Sequence, residues 1–421
     1  QAVWSALRLR TSARDIRIKR LDERALMHLE FLLSAGLHQL ENGRRPRVAV
    51  ISDLPRLSPA EALEDYHKKG LIPPSGADVY SQLKELLSNN LYDVQHINPK
   101  DPVLPPESDI VLWMQPRRNS TPVIDLLSAH LQQGKNAIVA LQHFNIQQRQ
   151  YRGSGFQTVY WPQPQFQDFD RFSQLYGVEQ VREVLFDRTQ SHLDLETQVN
   201  RTAVREYDAQ QVALPFLIRA VAPNYRRQSA LTRHLGDLLF IWGNRFALNR
   251  QRLAEMGMDA QILVSTSERS WAYAWSGGWL PPDVFSSSDY LQGTQPLAVQ
   301  LTGHFDRAIF SEDAEGRAQI ELGEKARGAG QLLLVGSSEM FKNEYLYVAG
   351  FQHDQFLLNA VAHMAYGETL AELQARRPVS RGFSFQNPQA KSTWRAVSIG
   401  LAPLLFALYG AVRLRRLRGG S

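Results

Sequence analysis

The stretch that decides the fold is residues 109–141, DIVLWMQPRRNSTPVIDLLSAHLQQGKNAIVAL. Its two ends, DIVLWM and NAIVAL, are short and mainly apolar runs, which predict buried strands. Thr121 followed by Pro122 predicts a helix start, since proline at the first helical position sacrifices no hydrogen bond. The helix continues through VIDLLSAHLQQ and ends at Gly134. A strand, a helix and a strand in succession predict parallel strands joined by a right-handed crossover.

The same alternation continues on both sides of this stretch. RVAVIS at 47–52 and YDVQHI at 92–97 predict strands, and residues 78–90 between them predict a helix. The apolar face of that helix consists of Tyr80, Leu83, Leu86 and Leu87. Further strands are predicted at 237–244, 260–267, 296–303 and 330–338, with helices near 248–256 and at 354–367. We therefore expect an α/β fold built on a parallel sheet.

These elements divide the chain into a basic, helical lead-in at 1–45 and an α/β domain at 46–383. An insertion at 145–230, rich at its start in glutamine, proline and aromatic residues, separates two α/β halves of that domain. Its aromatic residues include Tyr151, Phe156, Tyr160, Trp161, Phe166 and Phe169. They either pack as a lid over the sheet or present aromatic faces to a glycan or a partner protein.

The charge is distributed unevenly along the chain. Residues 1–20 contain six basic residues and one acidic residue, and the last nine residues contain four arginines. Because the whole chain has a formal charge of +5, residues 21–412 are left with −4. A nucleic-acid-binding groove needs basic residues concentrated in the folded part, so we predict no nucleic acid partner. The basic ends suit an anionic membrane surface better.

The C-terminus predicts a membrane anchor. Residues 396–412 carry no charge, and this length is at the short end of the roughly 17–25 residues that span a bilayer. We assign a transmembrane helix to 394–413, a polar tether to 384–393 and a basic cytoplasmic tail to 414–421. A buried core helix is the alternative, but it gives no reason for the arginines that follow.

Arginines beside a membrane span mark its cytoplasmic side, so the bulk of the chain is expected outside the membrane. The residues expected to hold and pack the anchor are Trp394, Gly400, Pro403, Gly410, Arg413, Arg415 and Arg416. The glycines permit close approach to other helices, and proline is tolerated where neighbouring helices satisfy the freed carbonyl. Because the chain shows no signal peptide and does not begin with Met, we expect a further segment upstream.

Motifs for catalysis, nucleotide binding and metal binding are absent from the sequence. The lack of cysteine excludes a thiol nucleophile and thiolate metal ligands. Neither a nucleophile elbow nor a P-loop occurs. Ser337 and Ser338 lie at the end of a predicted strand, where serine is usually a turn or cap residue. His304 and His353 each have an aspartate nearby but no metal-ligand spacing. We predict no enzymatic activity, no metal and no cofactor.

Open α/β sheets bind ligands beyond the carboxyl ends of their strands. SDLP at 52–55, QHFN at 142–145 and GSSEMF at 336–341 follow predicted strands and are expected at a common rim. The candidate ligand-binding residues there are Asp53, Gln142, His143, Ser337 and Glu339. Ordinary loops are the alternative, since turns need polar residues in any case.

A set of stretches occurs in a fixed order along about 46–418: RPRVAVIS, DIVLWMQP, HLQQGKNAIVAL, SQLYGVEQV, LPFLIRAV, QILVSTSERSWAY, PLAVQLTGHF, LLLVGSSEMFKN and DQFLLNAVAHMAYGE. Together with the terminal span and arginine tail, this set resembles the gliding-motility-associated GldG family, which comprises auxiliary or substrate-binding components of ABC-2 type transporters. The resemblance implies a glutamine-amidotransferase-like α/β domain, related to intraflagellar-transport-like domains, on the periplasmic side of the bacterial inner membrane. It implies a permease and a cytoplasmic ATPase as partners.

The main hypothesis is a non-catalytic, membrane-anchored auxiliary subunit that binds or gates a substrate and docks on the permease. The resemblance identifies no substrate, so a glycan, a lipid and a protein all stay open. One alternative is a hydrolase or transferase that acts on an envelope polymer with the same fold. A purely structural anchor is the other.

Overall fold

A computed structural model of the chain describes residues 6–12, 14–18, 21, 23–52, 78–117, 120–152, 156–189, 214–285, 291–312 and 318–376. By its internal contacts the chain divides into one unit of residues 1–377 and a second unit of residues 378–421. All described residues belong to the first unit.

The described strands are β1 (Leu7–Arg10), β2 (Asp15–Ile18), β3 (Arg47–Ser52), β4 (Asp93–Ile97), β5 (Ile110–Met114), β6 (Asn136–Ala140), β7 (Phe144–Arg152), β8 (Phe156–Pro164), β9 (Val178–Val181), β10 (Val184–Asp187), β11 (Leu217–Ala220), β12 (Leu238–Ile241), β13 (Arg245–Leu248), β14 (Asp259–Ser265), β15 (Ser270–Tyr273), β16 (Pro296–His304), β17 (Ala308–Glu312), β18 (Ala318–Leu322) and β19 (Ala329–Val335). The described helices are α1 (Glu23–Met27), α2 (Leu29–Asn42), α3 (Ser81–Asn89), α4 (Thr121–Gln132), α5 (Phe169–Leu175), α6 (Arg250–Glu255), α7 (His353–Tyr366) and α8 (Glu368–Ala375).

A seven-stranded sheet lies at the centre, in the order β14-β16-β19-β6-β5-β3-β4. Five strands, β19, β6, β5, β3 and β4, run parallel to one another. β16 runs antiparallel to both of its neighbours, β14 and β19. The parallel arrangement predicted from the alternation is confirmed for the strands between 47 and 140. The parallel arrangement is wrong for the strands predicted at 260–267 and 296–303, which pair antiparallel as β14 and β16. The sheet is therefore mixed. Parallel neighbours need a crossover, usually a helix, whereas the described residues between β14 and β16 form β15 and a 3-10 turn.

The stretch 109–141 folds as predicted into β5, α4 and β6. β5 and β6 pair in parallel, and Pro122 lies in the first turn of α4. Gly134 lies in the turn between α4 and β6 and has a φ of +76°. A Cβ atom placed there would lie 2.9 Å from the Cα atom of Gly328. This turn therefore requires glycine for both its left-handed backbone and its close contact with another backbone segment.

Side chains of the central strands alternate between two apolar cores on opposite faces of the sheet. In β3, Val48 and Val50 belong to the first core, and Ala49 and Ile51 belong to the second. Helices cover both faces, which explains why these strands are continuous apolar runs. The apolar face predicted for α3 packs in the first core through Tyr80, Leu83, Leu86 and Leu87.

The segment predicted as an insertion begins with an antiparallel hairpin of β7 and β8. Phe169 is buried in the second core, and the ring of Tyr160 packs against that of Phe216. Phe166 is 40% exposed, with the guanidinium carbon of Arg182 5.0 Å from its ring centre. Internal packing therefore explains Tyr160 and Phe169, while Phe166 stays partly exposed beside Arg182.

No helix within the described ranges is both long enough and apolar enough to cross a membrane. The predicted tether at 384–393, transmembrane helix at 394–413 and tail at 414–421 lie outside the described residues, as do Trp394, Gly400, Pro403, Gly410, Arg413, Arg415 and Arg416. The anchor is thus still a prediction.

Candidate functional site

The carboxyl ends of β3, β5, β6 and β19 lie along one edge of the central sheet because these strands are parallel. We call this the carboxyl edge. It includes the switch point of the chain, which passes from β3 to β4 on one side and then to β5 on the other. Open α/β sheets bind ligands at such points. Of the predicted residues, Gln142, His143, Ser337 and Glu339 lie there and are buried, and Asp53 lies outside the described residues.

Gln142 connects β6 to two other segments. Its Nε2 atom donates to the carbonyl oxygen of Phe144 at 2.8 Å and to that of Trp242 at 3.2 Å. Its Oε1 atom accepts from the backbone N–H of Ser338 at 3.1 Å. With only 1% of its surface exposed, this amide fixes the shape of the carboxyl edge.

Ser337 and Glu339 follow β19. The Ser337 hydroxyl donates to the carbonyl oxygen of Ile241 at 2.9 Å, so it lacks the hydrogen bond to a base that activates a nucleophile. Glu339 forms an ion pair with Lys342. Burial raises the pKa of Glu339, and the charge of Lys342 opposes that shift. The charge of Glu339 is therefore balanced by Lys342 within the protein.

His143, which is buried, and Asp170, which is partly buried, form a pair next to β6, with 4.0 Å between Nε2 of the histidine and Oδ1 of the aspartate. Burial lowers the pKa of His143 to about 4, and the positive charge of Arg182 acts in the same direction. Burial raises the pKa of Asp170 to about 7, with Arg182 opposing the shift. At neutral pH the imidazole is uncharged and the carboxyl group is about half protonated. The pair thus offers hydrogen-bond donors and acceptors without a fixed charge.

Amide side chains around this pair have unused hydrogen-bonding capacity. Nε2 of Gln167 donates to Oε1 of Gln180 at 2.6 Å, which leaves Oε1 of Gln167 and Nε2 of Gln180 without a partner among the described residues. Nδ2 of Asn244 is likewise without a partner. Neither ring nitrogen of His143 makes a hydrogen bond of good geometry within the described residues, although the Gln180 side chain lies close enough to raise the pKa of the imidazole against the effect of burial. Buried polar atoms without partners cost about 1–3 kcal/mol each, and water or a ligand usually satisfies them. This cluster is therefore the part of the carboxyl edge best suited to hydrogen-bond a ligand.

Gln115 follows β5 at the switch point and has a strained backbone, with a φ of +52°. It is fully buried, and neither of its amide atoms has a partner within the described part of the chain. Left-handed φ values are uncommon for residues other than glycine and concentrate at functional sites. An amide is not a nucleophile, so the position favours binding over covalent chemistry.

The sequence predicted His143 but missed the groups that complete its surroundings. Asp170 and Gln180 lie on α5 and β9, away from the strand ends that the carboxyl-edge rule selects. Gln115 directly follows a predicted strand, so the same rule applied to DIVLWMQ would have found it. The aspartate and glutamine content of QPQFQDFD was a weaker signal for Gln167 and Asp170.

His353 serves the fold. Its Nδ1 atom donates to the carbonyl oxygen of Tyr345 at 2.7 Å, and its Nε2 atom accepts from the backbone N–H of Leu239 at 2.9 Å. These partners fix the neutral tautomer, and burial lowers the pKa to about 4. Across the described ranges, no group of three or more histidine, aspartate and glutamate side chains is placed to hold a metal ion.

Comparison with known proteins identifies one family. The profile of the ABC-type uncharacterized transport system family matches residues 45–361, which is most of the chain. The match begins just before β3 and ends within α7, so it includes the whole central sheet and the carboxyl edge. A search of curated proteins finds no match.

Proposed function

The chain belongs to the ABC-type uncharacterized transport system family, and on this premise we propose that it is a non-catalytic auxiliary subunit of an ABC-2 type transporter. In this proposal the amidotransferase-like domain at 46–383 lies on the periplasmic side of the bacterial inner membrane, where it binds or gates a substrate. The helix at 394–413 anchors the domain and docks on the permease. ATP hydrolysis belongs to a cytoplasmic partner.

The observation that carries the proposal is the family match across the carboxyl edge. Within the matched residues, His143, Asp170 and the amides around them are arranged for hydrogen bonding, while the hydroxyl of Ser337 is engaged by a carbonyl group. A site that can hydrogen-bond, and among whose described residues no hydroxyl group is paired with a base, suits binding or gating. The GldG-type resemblance of the sequence further supports the ABC-2 class and a role in gliding motility.

Purification of the chain from its native membrane in mild detergent tests the partnership. We expect a permease and an ATPase to co-purify with the wild-type chain. Leucine at Gly400 and Gly410 should reduce the amount of both partners, because bulky side chains prevent close helix packing. The control is Leu405→Phe, which adds bulk to a helix face well away from both glycines at 100° per residue. Wild-type chain that purifies alone in every mild detergent would refute the transporter assignment.

The enzyme alternative has one observation in its favour, the His143–Asp170 pair. A histidine beside a carboxylate can act as a general base. No hydroxyl group hydrogen-bonds to His143 among the described residues, so a nucleophile is missing from this arrangement. Incubation of the purified chain with envelope polymer fragments decides the matter. Release of shorter products that His143→Gln abolishes would favour the hydrolase, and no release would favour the auxiliary subunit.

A further inference from the structure

A second polar site lies away from the carboxyl edge, near the opposite end of β19. It is a groove of about 350 Å³ over the faces of β14, β16 and β19, bordered by α7 and by the start of α8. Every residue that lines it is polar. Since most ligand sites are lined largely by apolar groups, recognition in this groove has to depend on hydrogen bonds. We call it the amide groove, after Gln261, Gln300 and Gln331 on its floor.

The amide groove continues a sheet face that is apolar elsewhere. Alternate residues of a strand share one face, and Leu263, Ala298 and Leu333 on that face belong to the first core. On the same face, Gln261 lies two positions before Leu263 in β14, and Gln331 lies two positions before Leu333 in β19. In β16, Gln300 lies two positions after Ala298. The change from apolar to amide side chains occurs on all of these neighbouring strands, so it defines a surface rather than an isolated residue.

The glutamine at the bottom of the groove is not an ordinary exposed side chain. Gln300 is only 6% exposed, and its Nε2 atom donates to Oε1 of Gln331 at 3.1 Å and lies 3.3 Å from Nε2 of His363. Because the amide donates, Nε2 of His363 is the acceptor and Nδ1 carries the proton. That Nδ1 atom is buried and has no partner among the described residues. A buried donor in a groove wall needs a partner from water or from a ligand.

The same hydrogen bonds orient the other amides. Since Oε1 of Gln331 accepts from Gln300, its NH₂ group is available as a donor. Nε2 of Gln261 donates to Oδ2 of Asp259 at 2.8 Å, which leaves Oε1 of Gln261 and Oδ1 of Asp259 as acceptors. Donors and acceptors fixed in this way lose less conformational entropy when a ligand binds. The groove is therefore preorganised for a ligand that both donates and accepts hydrogen bonds.

The charged residues of the amide groove limit which ligands it can bind. The described lining contains one guanidinium, Arg226, and two carboxylates, Asp259 and Glu368. This excess of negative charge disfavours phosphate and other polyanions. Burial lowers the pKa of His363, with Glu368 opposing the shift. Among the described residues the lining contains no apolar side chain, which disfavours lipid tails as ligands.

We propose that the amide groove binds a neutral saccharide. Each sugar hydroxyl both donates and accepts, and so matches the paired donor and acceptor of a side-chain amide. A volume near 350 Å³ is at the small end of the roughly 300–1,000 Å³ range of ligand sites. The groove therefore accommodates a short sugar unit, such as one end of a glycan. This site is separate from the carboxyl edge and does not depend on the proposed transporter partnership.

Calorimetric titration of the full chain with maltose, cellobiose and diacetylchitobiose tests the proposal. The detergent must have no sugar head group, because such a head group would compete for the groove. We expect at least one disaccharide to bind, and inorganic phosphate to give no binding. Gln300→Leu and Gln331→Leu should each weaken disaccharide binding about ten-fold, as expected when a hydrogen bond is lost and its partner is left unpaired.

The matched control is Gln251→Leu, since Gln251 is an exposed glutamine on α6 that bonds to Glu255; its binding should equal the wild type. If Gln300→Leu fails to fold, Gln261→Leu on the partly exposed floor replaces it with the same expected loss. The proposal is overturned if none of the disaccharides binds, if phosphate binds in their place, or if Gln261→Leu and Gln331→Leu both bind as tightly as the wild type. A loss of disaccharide binding in Gln180→Leu, with Gln300→Leu and Gln331→Leu binding normally, would place the sugar at the carboxyl edge and would likewise overturn the proposal.

Discussion

The shifted pKa values of His143 and Asp170 make the stability of the fold depend on pH in opposite directions. Burial penalises the charged form of each group, so the pKa of the base falls and that of the acid rises. The unfolded pKa of Asp170 is about 3.9, and its folded pKa is about 7. The folded state therefore holds this proton more tightly, and stability is lost as the pH rises from about 4 through 7. For His143 the sign is reversed, and stability is lost as the pH falls from about 6.5 towards 4.

Asp170→Asn should remove the loss of stability on the alkaline side. Asparagine keeps the shape of the protonated carboxyl group but cannot ionise. We expect the variant to match the wild type near pH 4 and to be about 2–4 kcal/mol more stable at pH 8. Urea unfolding at both pH values measures the difference. Asp101→Asn, at an exposed position, is the control and should show no such pH dependence. An Asp170→Asn variant that is less stable than the wild type at pH 8 would mean that the carboxylate has a stabilising partner.

At the residue scale the sequence located the centre of the carboxyl-edge cluster but not its chemistry. His143 follows a predicted strand, and the rule for parallel sheets places such residues at the ligand edge. Its shifted pKa comes from burial and from Arg182, which only the folded chain brings close. Asp170 has the same dependence on long-range packing, so no local pattern could have paired the two.

At the scale of elements, the connection between α4 and β6 is a tightly constrained turn. Gly134 combines a φ of +76° with a contact to the backbone of Gly328. A methyl group there would sit 2.9 Å from a Cα atom, and a backbone atom cannot move away as a flexible side chain can. The backbone conformation and the contact should therefore both contribute to the cost of a substitution.

Alanine at Gly134 should cost about 2–3 kcal/mol of folding free energy, because it adds a steric clash to the roughly 1 kcal/mol for a left-handed residue. Gly257→Ala is the matched control. Gly257 also has a positive φ, +62°, but an added Cβ atom meets nothing within 4 Å, so we expect only about 1 kcal/mol there. Midpoints of urea unfolding give the comparison. Equal losses for the two variants would show that the contact with Gly328 is not tight.

The elements that the sequence predicted well are those whose signals are local. The start of α4 at Thr121 and its end near Gly134 depend on proline and glycine chemistry within the segment itself. The direction of β14 and β16 depends on which strand each meets, and an apolar run carries no direction. Gln300 was visible as the one polar residue within PLAVQL. Only the pairing of β16 with β19, in which Gln300 lies opposite Leu333, brings its side chain diagonally within hydrogen-bond reach of Gln331.

At the scale of the whole molecule, the central sheet joins strands from both ends of the predicted domain. β3 to β6 come from the first half of the chain and β14, β16 and β19 from the second, and β6 pairs with β19 between them. The two alternating stretches therefore share one sheet and the same two apolar cores. A chain truncated at any point within residues 47–335 should lose strands of this sheet. A chain truncated after α8 should keep all of them.

A chain that ends at Gln389 tests this difference together with the predicted anchor. The apolar cores described here end within α8, where Ala371 is the last buried member of the first core and Leu373 packs against it. Residues 378–421 form a separate unit by their contacts. Removal of residues 390–421 should therefore leave the cores complete and remove the apolar segment that we assign to the membrane. We expect the shortened chain to be monodisperse without detergent on size-exclusion chromatography and to melt within about 2 °C of the full chain in detergent. If it aggregates while the full chain in detergent does not, residues 396–412 pack in the core and the anchor assignment is wrong.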